Sequence, residues 1–179
     1  MIAILLANGF EEIEALTPAD MLRRAGKDVR LVGMNGKTAL GSHGISVGCD
    51  ALPEELDLHS IELVIFPGGM PGAKNLDIHP FTDTVIEAVT KNGGRIAAIC
   101  AAPMILGKRG LLNGKRATCY PGFEGELTGA SVSELSVVSD GNITTAKGMG
   151  VALEFSLELV SLILGKNKAE EIKKSIMMK

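Results

Sequence analysis

The chain has 179 residues, of which 46% are hydrophobic and 22% charged. This is the composition of an ordinary globular protein, so an intrinsically disordered chain is excluded. The 18 Lys and Arg against 21 Asp and Glu give a net charge of -3, and aromatic residues make up only 3%. The chain therefore lacks both the basic surface and the stacking aromatics that nucleic-acid binding requires, and no nucleic-acid partner is expected.

The three cysteines and three histidines follow no recognised metal-ligand spacing. The sequence therefore predicts neither a metal site nor a cofactor site, and His43 and Cys49 are interpreted as structural residues of a hairpin. The first seven residues are apolar but have no basic segment before them, which is typical of a buried strand and not of a signal peptide. No later apolar run is long enough to span a bilayer, so we expect a cytoplasmic protein without a membrane partner.

Apolar runs of strand length alternate with segments of helical period along the chain. Strands are predicted at residues 2–7, 29–32, 63–66, 95–99, 116–119, 132–138 and 143–146, with a Gly-rich hairpin at 41–49. Helices are predicted at residues 11–25, 81–89, 103–112, 149–164 and 168–178. The alternation indicates an α/β fold in which helices cover a mostly parallel sheet. No linker or repeat interrupts it, so a single domain over residues 1–179 is expected.

The predicted helix over residues 149–164 has an unusual distribution of polar side chains. Glu154, Glu158 and Ser161 form one narrow stripe, and most of the remaining circumference is apolar. Such a helix is buried on more than one side. Either the C-terminal segment covers it, or a second subunit does.

Cys100 lies where a predicted strand ends, in the segment IAAICAAP. Small residues let a helix begin at once, as in the nucleophile elbow of hydrolases, although Ala98 and Ala102 replace the glycines of that motif. A thiol ahead of a helix faces the positive end of the dipole and free N–H groups, which favour the thiolate. The alternative is a buried, inert cysteine, which is the common state of free thiols.

The segment FPGGMPG follows another predicted buried strand. Gly68 and Gly69 can adopt backbone angles denied to other residues and let the chain approach a reacting group closely. In a parallel sheet, sites form at the carboxyl ends of the strands, so their N–H groups are candidates for an oxyanion hole beside Cys100. The alternative is an ordinary Gly-Pro loop.

Three acidic residues open the first predicted helix. The helix dipole alone explains Glu11 and Glu12. Glu14 is placed where the helix meets the sheet, and a carboxyl beside a thiolate in an apolar site would have a raised pKa. It could then keep its proton and exchange it with the sulfur. The alternative is a solvated helix face, and the periodicity alone does not decide between the two.

These segments together resemble the family of DJ-1, ThiJ and the PfpI-type proteins. The resemblance is carried, in order, by NGFEEIE, PGG, AAICAAP and TAKGMG, covers nearly the whole chain and is closest to the DJ-1 and YajL branch. It implies a flavodoxin-like three-layer sandwich that is usually a homodimer. It also implies that Cys100 is the nucleophile, that Glu14 is its protonated partner, and that Gly69 and Ala101 are backbone donors.

Two positions depart from that family. PfpI-type peptidases have a His directly after the nucleophile, where this chain has Ala101, so a peptidase is not expected. A second family His, in a T-H-P segment, is replaced by Tyr120 in TCYP. Tyrosine is a poor base near neutral pH, and Tyr120 is expected to line the site. Cys119 would then face the opposite side of the strand and be a poor resolving thiol for Cys100.

The resemblance implies two candidate functions. The first is an enzyme acting on small reactive aldehydes, as a glutathione-independent glyoxalase or a deglycase without metal or cofactor. In it the Cys100 thiolate would attack the aldehyde and Glu14 would move the proton. The second is a sensor of oxidative stress or a chaperone, switched by oxidation of Cys100.

Overall fold

The strands and helices are taken from a computed structural model that describes residues 1–178, so Lys179, the last residue of the predicted domain, lies outside it. Within these residues the strands are β1 Ile2–Leu6, β2 Val29–Gly33, β3 Thr38–Leu40, β4 Ser46–Gly48, β5 Leu63–Phe66, β6 Arg95–Ile99, β7 Arg116–Ala117, β8 Ser131–Val132, β9 Val137–Asp140 and β10 Ile143–Ala146. The helices are α1 Glu12–Arg24, α2 Gly72–Ile78, α3 Pro80–Lys91, α4 Pro103–Lys108, α5 Ala152–Leu164 and α6 Lys166–Ser175.

Six strands form the central sheet in the order β2-β1-β5-β6-β10-β9. All neighbours are parallel except β9, which pairs antiparallel with β10. Alternate side chains of β1 enter two different cores: Ala3 and Leu5 pack on one face, and Ile2, Ile4 and Leu6 on the other. A strand covered on both faces has to be apolar throughout, which explains the continuous run at the start of the sequence.

Helices cover both faces of this sheet. Buried side chains of α2, α3 and α4 form the core on one face, and those of α1, α5 and α6 form the core on the other. The predicted α/β class, with a mostly parallel sheet in a flavodoxin-like three-layer sandwich, is thus confirmed. Among residues 1–178, none of the helices has both the length and the apolar character that crossing a bilayer requires.

Several predicted elements differ from those observed. The sequence did not indicate α2, because its seven residues bury too few apolar side chains to produce a period and follow a Gly-Pro segment. The hairpin predicted at 41–49 pairs β3 with β4, so the Gly-rich part is its turn and the first strand lies earlier. The helix predicted at 103–112 ends at Lys108.

The strands predicted at 116–119 and 132–138 are also longer than those observed. The strand predicted at 116–119 is reduced to β7, which pairs with β8 outside the central sheet. The strand predicted at 132–138 is divided between β8 and β9, and only β9 joins the sheet. After Ala117 the chain stays buried but leaves the strand pairing, because Thr118 N–H donates to the Thr145 hydroxyl and Tyr120 N–H donates to Cys100 O.

The α5 helix is covered unevenly. Its polar stripe of Glu154, Glu158 and Ser161 lines a groove against α6, and Glu158 accepts a hydrogen bond of 2.8 Å from Ser139 Oγ. On the side that faces α1, Leu153 remains 40% exposed. The C-terminal helix α6 therefore covers part of α5, which was the first of the two alternatives. An apolar edge of α5 remains exposed to solvent.

Candidate active site

The register of the sheet brings two of the predicted loops together. In the parallel pair of β5 and β6, Phe66 lies opposite Ala98. Gly68 and Cys100 each lie two residues after this pair and therefore come close together. The approach is so close that a Cβ at Gly68 would lie 2.5 Å from Cys100 Cβ and 2.6 Å from Glu14 Oε2. Only glycine fits at position 68, and the loop therefore forms a wall of the Cys100 site.

Cys100 has a backbone conformation that is rare for a residue with a side chain. Its φ angle is 65°, in the left-handed region. Its N–H donates to Ala146 O at 2.9 Å, and its carbonyl accepts from Tyr120 N–H at 2.8 Å. These two bonds hold the strained turn, which belongs to the class of backbone strain that concentrates at functional sites. The predicted elbow geometry is thus present at Cys100.

Glu14 is buried inside the protein, with 1% of its surface exposed. Its Oε2 accepts a hydrogen bond of 2.9 Å from Gly68 N–H, and it also interacts with Cys100 Sγ and with Met149 N–H. Glu11 N–H donates to Gly68 O at 3.0 Å, which fixes the start of α1 against the same loop. Of the two interpretations of Glu14, the solvated helix face is wrong. Met149 N–H is a contact that the sequence did not indicate.

Burial raises the pKa of Glu14 to about 7. Burial, together with the negative charge of Glu14, raises the pKa of Cys100 to about 12. The helix N-terminus was expected to lower it, but α4 begins only at Pro103 and the carboxylate is in contact with the thiol. The pair therefore loses its first proton near pH 7. Because two like charges in contact disfavour each other, it keeps the second proton above that pH and shares it between sulfur and oxygen.

The predicted backbone donors divide into two groups. Hydrogen bonding by the N–H groups of Gly69 and Ala101 favours the Cys100 thiolate and opposes the rise of its pKa. The N–H group of Gly68, which we expected to face the sulfur as well, is bound to Glu14 instead. Gly68 therefore orients the carboxyl, and Gly69 and Ala101 remain as the donors to sulfur.

Tyr120 and Cys119 point in different directions, although the prediction placed both on a strand and β7 ends before them, at Ala117. Tyr120 is half-exposed, and its ring packs against Gly148 at the edge of the Glu14 pocket. Cys119 is buried in the core formed by α2, α3 and α4. Burial also raises the pKa of Cys119, to about 11, and its side chain lies in that core and not in the site of Cys100 and Glu14. Tyr120 borders the site where the family histidine was expected.

A second cluster lies beside this site and joins α1 to the turn of the β3–β4 hairpin. Glu12 is buried and accepts hydrogen bonds from His43 N–H at 2.9 Å and from His43 Nδ1 at 3.0 Å. Burial alone would raise the pKa of Glu12, but the bonds from His43 and the backbone lower it to about 2. Glu11, Glu12 and His43 are close enough together to hold a metal ion, which the spacing in the sequence did not predict.

Comparisons with known proteins agree with the geometry. A sequence profile described as the DJ-1/PfpI family matches residues 1–162. Protein dj-1beta of Drosophila melanogaster is 35% identical over 98% of this chain and 95% of its own length. A glutathione-independent glyoxalase of Caenorhabditis elegans is 30% identical over 93% of this chain and 89% of its own length. A deglycase of Pyrococcus abyssi is 28% identical over 90% and 98%.

Among solved structures, oxidized DJ-1 of Toxoplasma gondii superposes with a TM-score of 0.94 at 31% identity. That match covers 98% of this chain and 97% of the other. The similarity thus extends over the whole three-layer sandwich and includes β6, which positions Cys100, and α1, which carries Glu14.

Proposed function

The chain belongs to the DJ-1/PfpI family, and on that premise we propose that it is an enzyme acting on small reactive aldehydes, with Cys100 as nucleophile and Glu14 as proton carrier. The observation that supports this most strongly is the buried contact between the Cys100 thiol and the Glu14 carboxyl. A carboxyl with a pKa of about 7 exchanges protons in both directions near neutral pH, as a general acid and base must.

The reaction with a 2-oxoaldehyde such as methylglyoxal begins from the form with the proton on Glu14 and the charge on sulfur. Cys100 Sγ attacks the aldehyde carbon, the carbonyl electrons move to its oxygen, and Glu14 protonates that oxygen to give a hemithioacetal. The N–H groups of Gly69 and Ala101 stabilise the charge on sulfur before the attack. Their position beside the sulfur also suits them to hold the oxygen that becomes negative.

The Glu14 carboxylate then removes the proton from the former aldehyde carbon and returns it to the neighbouring carbon. Through the enediol formed between these two transfers, the hydroxyl proton passes from the first oxygen to the second. The product is a thioester of a 2-hydroxy acid. Water hydrolyses the thioester, releases the acid and restores the shared proton of the pair. The sum is one aldehyde plus one water giving one 2-hydroxy acid, so the cycle requires no glutathione and no redox cofactor.

The names of two relatives support this class of activity, since one is a glyoxalase and another a deglycase. Both activities start from the addition of a nucleophile to a carbonyl carbon or from the reversal of such an addition. The aldehyde substrate is therefore proposed as a class, and the difference between the two activities lies in what is attached to the carbon.

The test is the conversion of methylglyoxal to lactate, followed by proton NMR without glutathione. The unmodified chain and a Cys49→Ala variant are expected to form lactate, and a Cys100→Ala variant is expected to lose the activity. Cys49 is the matched control because it is also a free, partly buried thiol. Lactate formation at the same rate in Cys100→Ala would overturn the proposal.

A second function, sensing of oxidants, is favoured by one specific observation. Cys100 is partly exposed, and its sulfur faces two N–H donors and a carboxyl that holds a proton near neutral pH. The same groups would stabilise a sulfinate, which needs hydrogen-bond donors. Mass spectrometry after mild peroxide should then find two added oxygens at Cys100 before Cys49 and Cys119 are modified. Equal oxidation of all three would exclude this function.

We further propose that the protein is a homodimer in a reducing, cytoplasmic compartment. Three free cysteines without a disulfide fit such a compartment. An open groove of about 590 Å³ runs between α1 and α5, and its walls include Ile13, Ile45 and Leu153, each at least 40% exposed. A continuous apolar surface of this kind is typical of an interface between subunits.

A further inference from the structure

The cluster at the start of α1 brings three metal-ligand side chains together. Their ligand atoms are Glu11 Oε2, Glu12 Oε2 and His43 Nδ1, and Ser42 Oγ lies beside them. His43 Nδ1 lies 3.0 Å from Glu12 Oε2, 3.5 Å from Glu11 Oε2 and 3.1 Å from Ser42 Oγ. Ser42 Oγ lies 3.3 Å from Glu11 Oε2 and 3.4 Å from Glu12 Oε2. The three ligand atoms thus form one face of a coordination polyhedron, and the Ser42 hydroxyl is within hydrogen-bond reach of each of them.

These lengths can be compared with those around a bound metal ion. Zinc bonds to nitrogen and oxygen are about 2.0–2.2 Å long, so the donors of a tetrahedral site lie roughly 3.3–3.6 Å apart. The distances of 3.0 and 3.5 Å from His43 Nδ1 to the two carboxylates require only a small change to reach that range. We propose that Glu11, Glu12 and His43 form a binding site for a divalent cation of the zinc class, with Ser42 as a hydrogen-bond partner of the ligands. The proposal goes beyond the activity assigned to Cys100 and does not depend on it.

The donor set selects among metals. Two carboxylates balance the charge of a divalent cation, and the imidazole favours zinc-like ions over magnesium or calcium, which take oxygen ligands. The donors come from the first turn of α1 and from a hairpin turn about thirty residues later. A bound ion would therefore join these two elements.

One ligand is already held in place. Glu12 Oε1 accepts the His43 N–H, and a Cβ at Gly41 would lie 2.2 Å from the same oxygen. The backbone of the hairpin turn thus fixes one carboxylate oxygen and leaves the other, Oε2, directed at Ser42 and His43. Fixing of ligands by neighbouring hydrogen bonds is the usual way in which proteins orient metal donors.

Titration with Co²⁺ tests the site, because tetrahedral Co²⁺ absorbs visible light and its thiolate complexes add a separate charge-transfer band. One Co²⁺ per chain is expected, with the tetrahedral spectrum and without the thiolate band, and Zn²⁺ should displace it. A Cys49→Ser/Cys100→Ser double variant should bind equally well. His43→Gln should weaken binding by more than the roughly 10–100-fold that loss of an outer-sphere partner costs.

The matched control is His59→Gln, since His59 is exposed on a distant turn. It should leave the affinity unchanged. In the unmodified chain, Zn²⁺ should shift the NMR signals of the His43 ring and leave those of His59 and His79 in place, which tests the site without any substitution. Absence of tetrahedral Co²⁺, equal affinity in His43→Gln, or loss of binding in the double cysteine variant would each overturn the proposal.

Discussion

At the scale of single residues, the protonation state of Glu14 governs the behaviour of the site. A buried carboxyl with a pKa of about 7 stays protonated over the range in which an ordinary glutamate ionises. The neighbouring thiol has a raised pKa because it is buried and lies beside the negative charge of Glu14. The reactive form is therefore a property of the pair and not of Cys100 alone.

The raised pKa of Glu14 has a consequence for stability. Between pH 4.5 and about 7 the unfolded chain loses this proton and the folded chain keeps it, so stability falls as the pH rises. The contribution is fully present below pH 4.5 and is lost above 7, by up to about 3 kcal/mol. Urea unfolding at pH 5 and pH 8 should reveal this loss in the unmodified chain and not in Glu14→Gln. Parallel pH profiles of the two proteins would contradict it.

Gly68 is the residue at which space is most limited. A methyl group there would overlap Cys100 Cβ and come within 2.9 Å of Ile99 O, which is backbone and cannot move away. Gly68→Ala should therefore destabilise the fold by about 1–3 kcal/mol, as overpacking does, and reduce the reactivity of Cys100. Gly48→Ala is the control in urea unfolding, because an added Cβ there meets nothing within 4 Å. Equal unfolding free energies of the two variants would contradict this prediction, because they would show that the loop moves to accommodate the added methyl group.

The sequence indicated these residues unequally. The placement of Cys100 was predictable because a strand end followed by small residues has few geometries. The roles of Gly69 and Ala101 came from the family resemblance. The division of labour between Gly68 and Gly69 was not predictable, since it depends on which N–H points to which atom. The cluster of Glu12 and His43 was also missed, because its members lie about thirty residues apart and meet only when the hairpin folds onto α1.

At the scale of elements, burial on both faces made the central strands predictable. The strand predicted at 63–66 is observed as β5 and that at 95–99 as β6. A strand that helices cover on both faces needs a continuous apolar run, and such a run is easily recognised in the sequence. The short α2 and the strand pair of β7 and β8 were missed or misplaced. Their positions depend on contacts distant in sequence, which local patterns do not record.

The burial of α5 can be tested by comparing a buried leucine with a partly exposed leucine of the same helix. Leu159 is fully buried against the sheet and α1, whereas Leu164 is 40% exposed at the end of the helix. Leu159→Ala should lower the free energy of unfolding by about 2–5 kcal/mol, because it leaves a cavity. Leu164→Ala should cost less than about 1 kcal/mol. Similar midpoints of the two variants in urea would contradict the placement of α5.

At the scale of the whole molecule, the groove between α1 and α5 should be an interface between copies of the chain. Analytical ultracentrifugation at micromolar concentration is expected to give twice the mass of one chain. Leu153→Glu should shift the mass to that of a monomer, because it introduces a charge into the apolar groove. Ile78→Glu, at an exposed residue of α2 on the other face of the sheet, should have no effect. A monomeric unmodified chain would refute the dimer.

The central claim is that Cys100 and Glu14 share one proton, and the pH dependence of iodoacetamide labelling, followed at each cysteine by mass spectrometry, tests it most directly. The labelling rate of Cys100 should rise through an inflection near pH 7 and then level off, since loss of the first proton from the pair forms the reactive state. Cys49 and Cys119, whose pKa values burial raises, should have no inflection there. Glu14→Gln should remove the inflection from Cys100. An inflection that persists in Glu14→Gln, or a Cys100 that labels like an ordinary thiol, would contradict the claim.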